Sequence, residues 1–176
     1  MRTVVLRVVA LAMLLLLALV SVIVVRTLQR LPDTVVYFVR DGGTTFTLES
    51  VFRQTRSGAS DVEATSRRAL AALVDGPTSE ERARGLVSEV PRDVTVHDVR
   101  LRGRLLEVDM GGAFASGGGS ASMFGRLYQV MYTLTHPNDV DEVALFLDGQ
   151  PLRVLGGEGL MVDHPWSRPP GGVPAW

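Results

Sequence analysis

The sequence predicts an α/β (α+β) two-layer sandwich. A mostly antiparallel sheet carries two amphipathic helices in the order β-β-α-β-β-α-β, preceded by one transmembrane helix. Three observations support this. Short β-branched and aromatic runs alternate with two windows of helical period; Gly, Pro and Asp mark each change of period; and residues 8–25 contain no charge and no proline.

The apolar run comes first in the chain. Its eighteen residues would span about 27 Å as a helix, close to the thickness of a bilayer core. Arg2 and Arg7 precede it, and Arg26 and Arg30 follow. It is longer than the apolar core of a cleavable signal, and Ala18-Leu19-Val20-Ser21-Val22 makes a poor cleavage site. Residues 1–30 are therefore read as an uncleaved anchor, spanning at 8–25, with a cytoplasmic N-terminus and an extracytoplasmic domain. Residues 31–33 close a tether, 34–155 form the domain, and the Gly/Pro-rich 156–176 reads as a surface tail.

Within the domain, Val35 to Val39 and Phe46 to Arg53 read as strands around an Asp41-Gly42-Gly43 turn. Asp61 caps a helix to Asp75, whose Val62, Ala69, Leu70, Leu73 and Val74 share a face. Gly76-Pro77 stops it, since glycine suits the left-handed position after a helix and proline cannot continue one. Thr78 and Glu81 have capping-box spacing, and the segment closes at Pro91. Val94 to Leu101 and Leu105 to Met110 form a hairpin around Arg102-Gly103. A second helix runs from Ala121 to Thr135, with Phe124, Leu127, Tyr128, Met131 and Leu134 inward. The last strand ends in a turn at Asp148-Gly149, two residues that tolerate left-handed geometry.

Composition excludes several chemistries. All eighteen basic residues are arginine, so a strict phosphate-binding P-loop and lysine catalysis are unavailable. Without cysteine there is no disulfide, thiolate metal site or acylated N-terminal cysteine. A net charge of −1 argues against nucleic acid as a partner. No cofactor is expected, and His97, His136 and His164 lack metal-ligand spacing. His136 is read as a helix-end residue facing the dipole and the last carbonyls.

The stretch FASGGGSASMF, residues 114–124, offers a phosphate loop, a nucleophilic serine or a helix start. The dinucleotide fingerprint fails because Ser122 stands where its third glycine belongs, and the preceding strands read as a hairpin, not a βαβ crossover. Ser122 also stands in place of the last glycine of a nucleophile elbow. The reading is a loop through Gly119 into a helix capped by Ser120, with an anion at the helix start as the alternative. Asp109, Asp148, Glu158 and Asp163 are the carboxylates from which an acid–base pair would come, were the chain a hydrolase. Arg100, Arg102 and Arg104 alternate along a hairpin and share a face near its turn. They form either a solvated edge or a docking patch for an acidic partner or an anionic wall polymer.

Taken together, these segments resemble the GerMN domain. ALAALVDGPTSEERARGLVSEVP carries Leu70, Leu73, Gly76, Pro77, Gly85, Leu86, Ser88 and Pro91 at the family's positions. LLEVDMGGAF, GGGSASMFGRLYQVMYTLT, VALFLDGQP and GGEGLMVDHPWSR resemble its strand, second helix, last strand and tail, over about residues 34 to 168. Met110 departs from the Leu common there. The family is named for sporulation and spore germination and occurs in envelope proteins and lipoproteins. Its fold is similar to small ring-building modules of envelope complexes. The resemblance implies an extracytoplasmic interaction or assembly domain without established catalytic residues, its partners being envelope proteins or cell-wall polymer.

Overall fold

The computed structural model describes residues 7, 13–21, 34–53, 61–136, 139–157, 159–173 and 175–176. Residues 13–21 are helical and exposed. Among the described residues no helix is long and apolar enough to cross a membrane. The rest of the expected span 8–25, and the tether, lie outside the described residues.

The first unit is a hairpin of β1 (Thr34–Asp41) and β2 (Phe46–Arg53), antiparallel from Thr34↔Arg53 to Asp41↔Phe46. The Gly43 N–H donates to Asp41 Oδ1 at 2.7 Å, which fixes the expected turn. β1 is buried on both faces, so its apolar run is continuous rather than alternating. Helix α1 (Val62–Asp75) begins where Asp61 accepts the Glu63 N–H and ends where the Gly76 N–H reaches Ala72 O, with Gly76 at φ 77°. Helix α2 (Ser79–Ala83) has the expected capping box of Thr78 and Glu81. Then follow β3 (Leu86–Val87) and the hairpin of β4 (Val96–Arg102) and β5 (Leu105–Met110). A 3-10 turn at Gly112–Ala115 leads to α3 (Ser120–Leu134) and β6 (Glu142–Leu147). Four two-residue strands close the chain: β7 (Gln150–Pro151), β8 (Val154–Leu155), β9 (Leu160–Met161) and β10 (Trp166–Ser167).

The mixed α/β class is as expected, but the single sheet is not. β2-β1-β3 form one sheet, β10-β6-β5-β4 with β7 on β6 form a second, and β8-β9 a third. β5 and β6 run parallel, so β5-α3-β6 is a crossover unit, which the hairpin reading of β4 and β5 had argued against. Both are true of β5: it pairs antiparallel with β4 on one side and parallel with β6 on the other.

α3 lies between two apolar clusters. Leu127, Val130 and Leu134 join Val36, Phe38, Leu70, Leu73, Leu106 and Val108. Met131 and Tyr132 join Val35, Tyr37, Val39 and Leu48. Phe124 and Tyr128, expected inward, are only half-buried. A helix enclosed this way must also satisfy its polar groups inside. Arg126, Gln129 and Thr133 are 3%, 0% and 2% exposed and recur at i, i+3 and i+7, on one stripe. The Gln129 amide donates to Tyr37 O at 3.1 Å and accepts the Glu89 N–H at 2.7 Å. Thr133 Oγ1 accepts the Tyr37 N–H at 3.0 Å. β3 pairs with β1 only at Val39 and Arg40, and Gln129 supplies a side-chain rung where that short ladder stops.

The C-terminal segment is a strap, not the expected surface tail. β10 pairs with β6, the Tyr132 hydroxyl donates to Gly172 O, and Trp176 exchanges backbone hydrogen bonds with Phe46 of β2. Aromatic contacts explain why a Gly/Pro-rich segment stays down. Tyr128 lies 5.2 Å from the Trp176 ring and 6.2 Å from Trp166. Arg168 donates to Tyr132 O at 2.8 Å and sits over the Tyr132 and Tyr37 rings. It supplies the positive charge at the end of α3 that the sequence had assigned to His136. Burial, and then Arg168, push the His136 pKa down, which favours the neutral ring.

Replacing Gln129 with Leu keeps the volume and strands Tyr37 O and the Glu89 N–H. The expected loss is on the order of 2–4 kcal/mol in urea unfolding. A second prediction concerns Glu81, which takes two hydrogen bonds from Arg53 at 2.6 and 2.7 Å. That contact, more than the Thr78 backbone bond, holds its pKa down from 4.5 to about 2. A carboxylate lowered in the folded state contributes fully above its ordinary pKa and loses that contribution as pH falls through its folded one. Stability worth about 3 kcal/mol should therefore disappear between about pH 5 and pH 2. Glu81→Gln should remove most of that slope, measured by urea unfolding across this range.

Candidate interaction surface

The second sheet buries one face and exposes the other. Val99, Leu106, Val108, Met110, Val143 and Leu145 point to the core. By alternation, Asp98, Arg100 and Arg102 of β4, Glu107 and Asp109 of β5, and Phe146 of β6 share the outer face. A shallow cleft of about 310 Å³ there is lined by Asp98, Arg100, Glu107, Asp109, Phe146 and Gly149.

The three arginines singled out by the sequence are placed but not bare. Arg100 Nε meets Asp98 Oδ2 at 2.6 Å, and Arg67 of α1 meets Asp98 Oδ1 at 2.6 Å. Arg102 Nε meets Glu107 Oε2 at 2.8 Å. Arg104 lies in the turn beyond Gly103, off the strand face of the other two, and pairs with Asp141. The Arg67 contact, foremost, holds the Asp98 pKa below its usual range, and Arg104 does the same for Asp141. Glu107 and Asp141 raise the pKa values of Arg102 and Arg104. These pairs are exposed, so they orient charge more than they stabilise the fold.

The outer edge of β4 is covered. Glu63 accepts the Leu101 N–H at 2.8 Å, and Arg67 donates to Val99 O at 3.0 Å. At the far end of the cleft the register slips between Val96 and Asp98, making His97 the extra residue of a β-bulge. Its Nε2 lies 3.1 Å from Asp148 Oδ1. Asp148 and Gly149, at φ 48° and 79° between the paired Leu147 and Gln150, form a two-residue hairpin turn of the mirror-image type. The Gly149 N–H donates to Asp109 Oδ1 at 3.0 Å. Asp109 thus bonds to the turn at Gly149, and Asp148 of the turn bonds to His97 of β4. Asp163 pairs with His164, and Glu158 lies outside the described residues. Among the described residues no group of three His, Cys, Asp or Glu could hold a metal ion.

The remaining motif residues have structural placements. Gly76 and Pro77 end α1, and Pro91 O accepts the Val94 N–H. Gly119, not Ser120, caps α3, and it makes no side-chain bond. The Gly119 carbonyl already accepts the Met123 N–H, which puts Ser120 at the first helical position, past the place where a cap can act. The glycine loop folds over Arg126, which donates to the carbonyls of Phe114, Ser116 and Gly117 and to Glu89 O. Its inner side presents acceptors to a cation, and the Glu89 side chain takes the Ser122 hydroxyl at the helix start. The anion-binding alternative loses its place. Sequence reasoning passed over Arg126, Gln129, Thr133 and Arg168. The available signal was three polar residues on one stripe of an otherwise apolar helix.

Ser120→Ala should change the melting free energy by less than about 0.5 kcal/mol. Arg126→Met, which leaves carbonyls unmet, should cost on the order of 2–4 kcal/mol in the same thermal unfolding.

Comparison with known proteins agrees with this architecture. The first GerMN domain of the sporulation protein GerM from Bacillus subtilis is similar at 21% identity and a TM-score of 0.61, over 76% of this chain and 97% of that one. The tandem GerMN domains of the same protein are similar at 19% identity and a TM-score of 0.61, over 77% of this chain. This chain covers 45% of the tandem structure, about half its length. No curated protein matches the sequence. The family described as "Germane: Sporulation and spore germination" matches residues 35–153, more than half the chain. The chain therefore belongs to the Germane family, and its domain has the GerMN fold.

Proposed function

We propose that this protein is a membrane-anchored, extracytoplasmic, non-enzymatic interaction and assembly module of the bacterial cell envelope. The outer face of the second sheet carries the reading. It holds oriented charges of both signs around a cleft, with each carboxylate committed to its own neighbour. Fixed alternating charges favour electrostatic complementarity, which sets encounter rate and specificity more than affinity. The apolar segment 8–25 supplies the anchor, and anchoring raises the effective concentration of the domain near its partners.

A second reading rests on the lining of the cleft, which holds an aromatic ring, Phe146 of β6, as well as a cation, Arg100 of β4. This combination suits peptidoglycan or a charged wall polymer.

A photoreactive residue at position 100 separates the two. In living cells it should capture an envelope protein, and Arg102→Glu should weaken capture about tenfold while the melting temperature stays put. Capture of wall polymer alone would favour the second reading, and capture of neither would remove both. External protease should reach the domain in spheroplasts of the same cells. Protection would contradict the extracytoplasmic placement.

A further inference from the structure

β4 and β1 have outward backbone groups met by side chains, from Glu63 and Arg67 in one case and from Gln129 and Thr133 in the other. β2 is different. Tyr37 gives both its backbone groups to α3, so its pair with Ser50 is a non-hydrogen-bonded one. Alternation then turns the N–H and C=O of Phe46, Leu48, Ser50 and Phe52 away from β1. Phe46 spends both on Trp176, at 2.9 and 3.1 Å, in the mutual pattern of an antiparallel rung. Among the described residues, the outward backbone groups of Leu48 and Ser50 meet no hydrogen-bond partner, and Phe52 O meets only Arg53 Nη1 at 3.5 Å. The Phe52 side chain is 65% exposed. An uncovered edge of this kind is a template for strand addition.

We propose that this edge pairs antiparallel with the β2 edge of a second copy of the chain, centred on Ser50. Trp176 closes one end of the ladder at Phe46, and among the described residues of β2 the open rungs are Leu48, Ser50 and Phe52, symmetric about Ser50. A two-fold axis there sets Leu48 opposite Phe52 of the second copy and gives the exposed ring an apolar neighbour. Glu49 falls opposite Val51 and diagonal to Arg53 of the second copy, and no like charges are directly opposed. The small serine sits where the strands must approach most closely. The pairing continues the rung that Trp176 already makes at Phe46.

The proposal deepens the assembly reading, and the absence of cysteine makes the test direct. Hydrogen-bonded antiparallel mates lie about 5.5 Å apart at Cα, within disulfide reach. In full-length protein purified in mild detergent, S50C should oxidise to a linked dimer. F52C, whose mates would lie roughly 13 Å apart, should do so at least tenfold more slowly. Ser50→Pro should sediment as a monomer where the wild type is dimeric. Equal crosslinking of S50C and F52C would overturn the proposal, as would an S50C that melts like the wild type and stays monomeric. If S50C in native membranes captures a different protein and no second copy, the self-pairing fails while the assembly reading stands.

Discussion

One side-chain amide holds this architecture in register. Gln129 stands between Tyr37 of β1 and Glu89 of the chain after β3, donating to one and accepting from the other. A buried amide satisfied at both ends is far cheaper than the two backbone groups it would otherwise strand. Because it sits in the middle of α3, it ties the crossover helix of one sheet to the central strand of the other. Its neighbours sharpen the fit. A methyl on Gly125 would lie 2.9 Å from Glu89 Cγ and 3.3 Å from Val39 Cγ2, so only glycine lets α3 approach so closely. The Ser88 hydroxyl donates to Leu73 O, extending the same tie to the end of α1.

The strap completes the enclosure of α3. β10 adds to the second sheet and Trp176 to the first, so the last residues bridge both. Arg168 is the electrostatic counterpart of the aromatic packing. It donates to the Tyr132 carbonyl near the end of α3 while its planar face covers two tyrosine rings. The outer face of the second sheet is left open to solvent. Charges of both signs are interleaved there, so that surface offers pattern rather than net field.

Much of this was legible locally. Asp61, Gly76, Thr78 with Glu81, and Asp148-Gly149 act through neighbours within a few residues, and each behaves as its local chemistry requires. Ser120 was misread because a cap depends on which carbonyl accepts the first helical bond, and three successive glycines allow that start to slide by one residue. The parallel β5–β6 pair, the split into separate sheets and the strap rest on contacts between distant residues. No local period reports that Trp176 meets Phe46 or that Arg168 caps α3. The arginines of the hairpin were visible, and Arg100 meets Asp98 on its own strand, but the mates of Arg102 and Arg104, on β5 and before β6, emerge only when the sheet is assembled.

The central claim is that the polar stripe of α3, and not a longer strand ladder, secures β1 to the segment after β3. Amide hydrogen exchange at Tyr37 and Glu89 tests it directly. Both N–H groups lie outside any strand ladder in that direction and bond only to side chains of α3. The account predicts that they exchange as slowly as the core of β1, through global unfolding alone. Exchange at Glu89 as fast as in exposed turns, with β1 still protected, would contradict it.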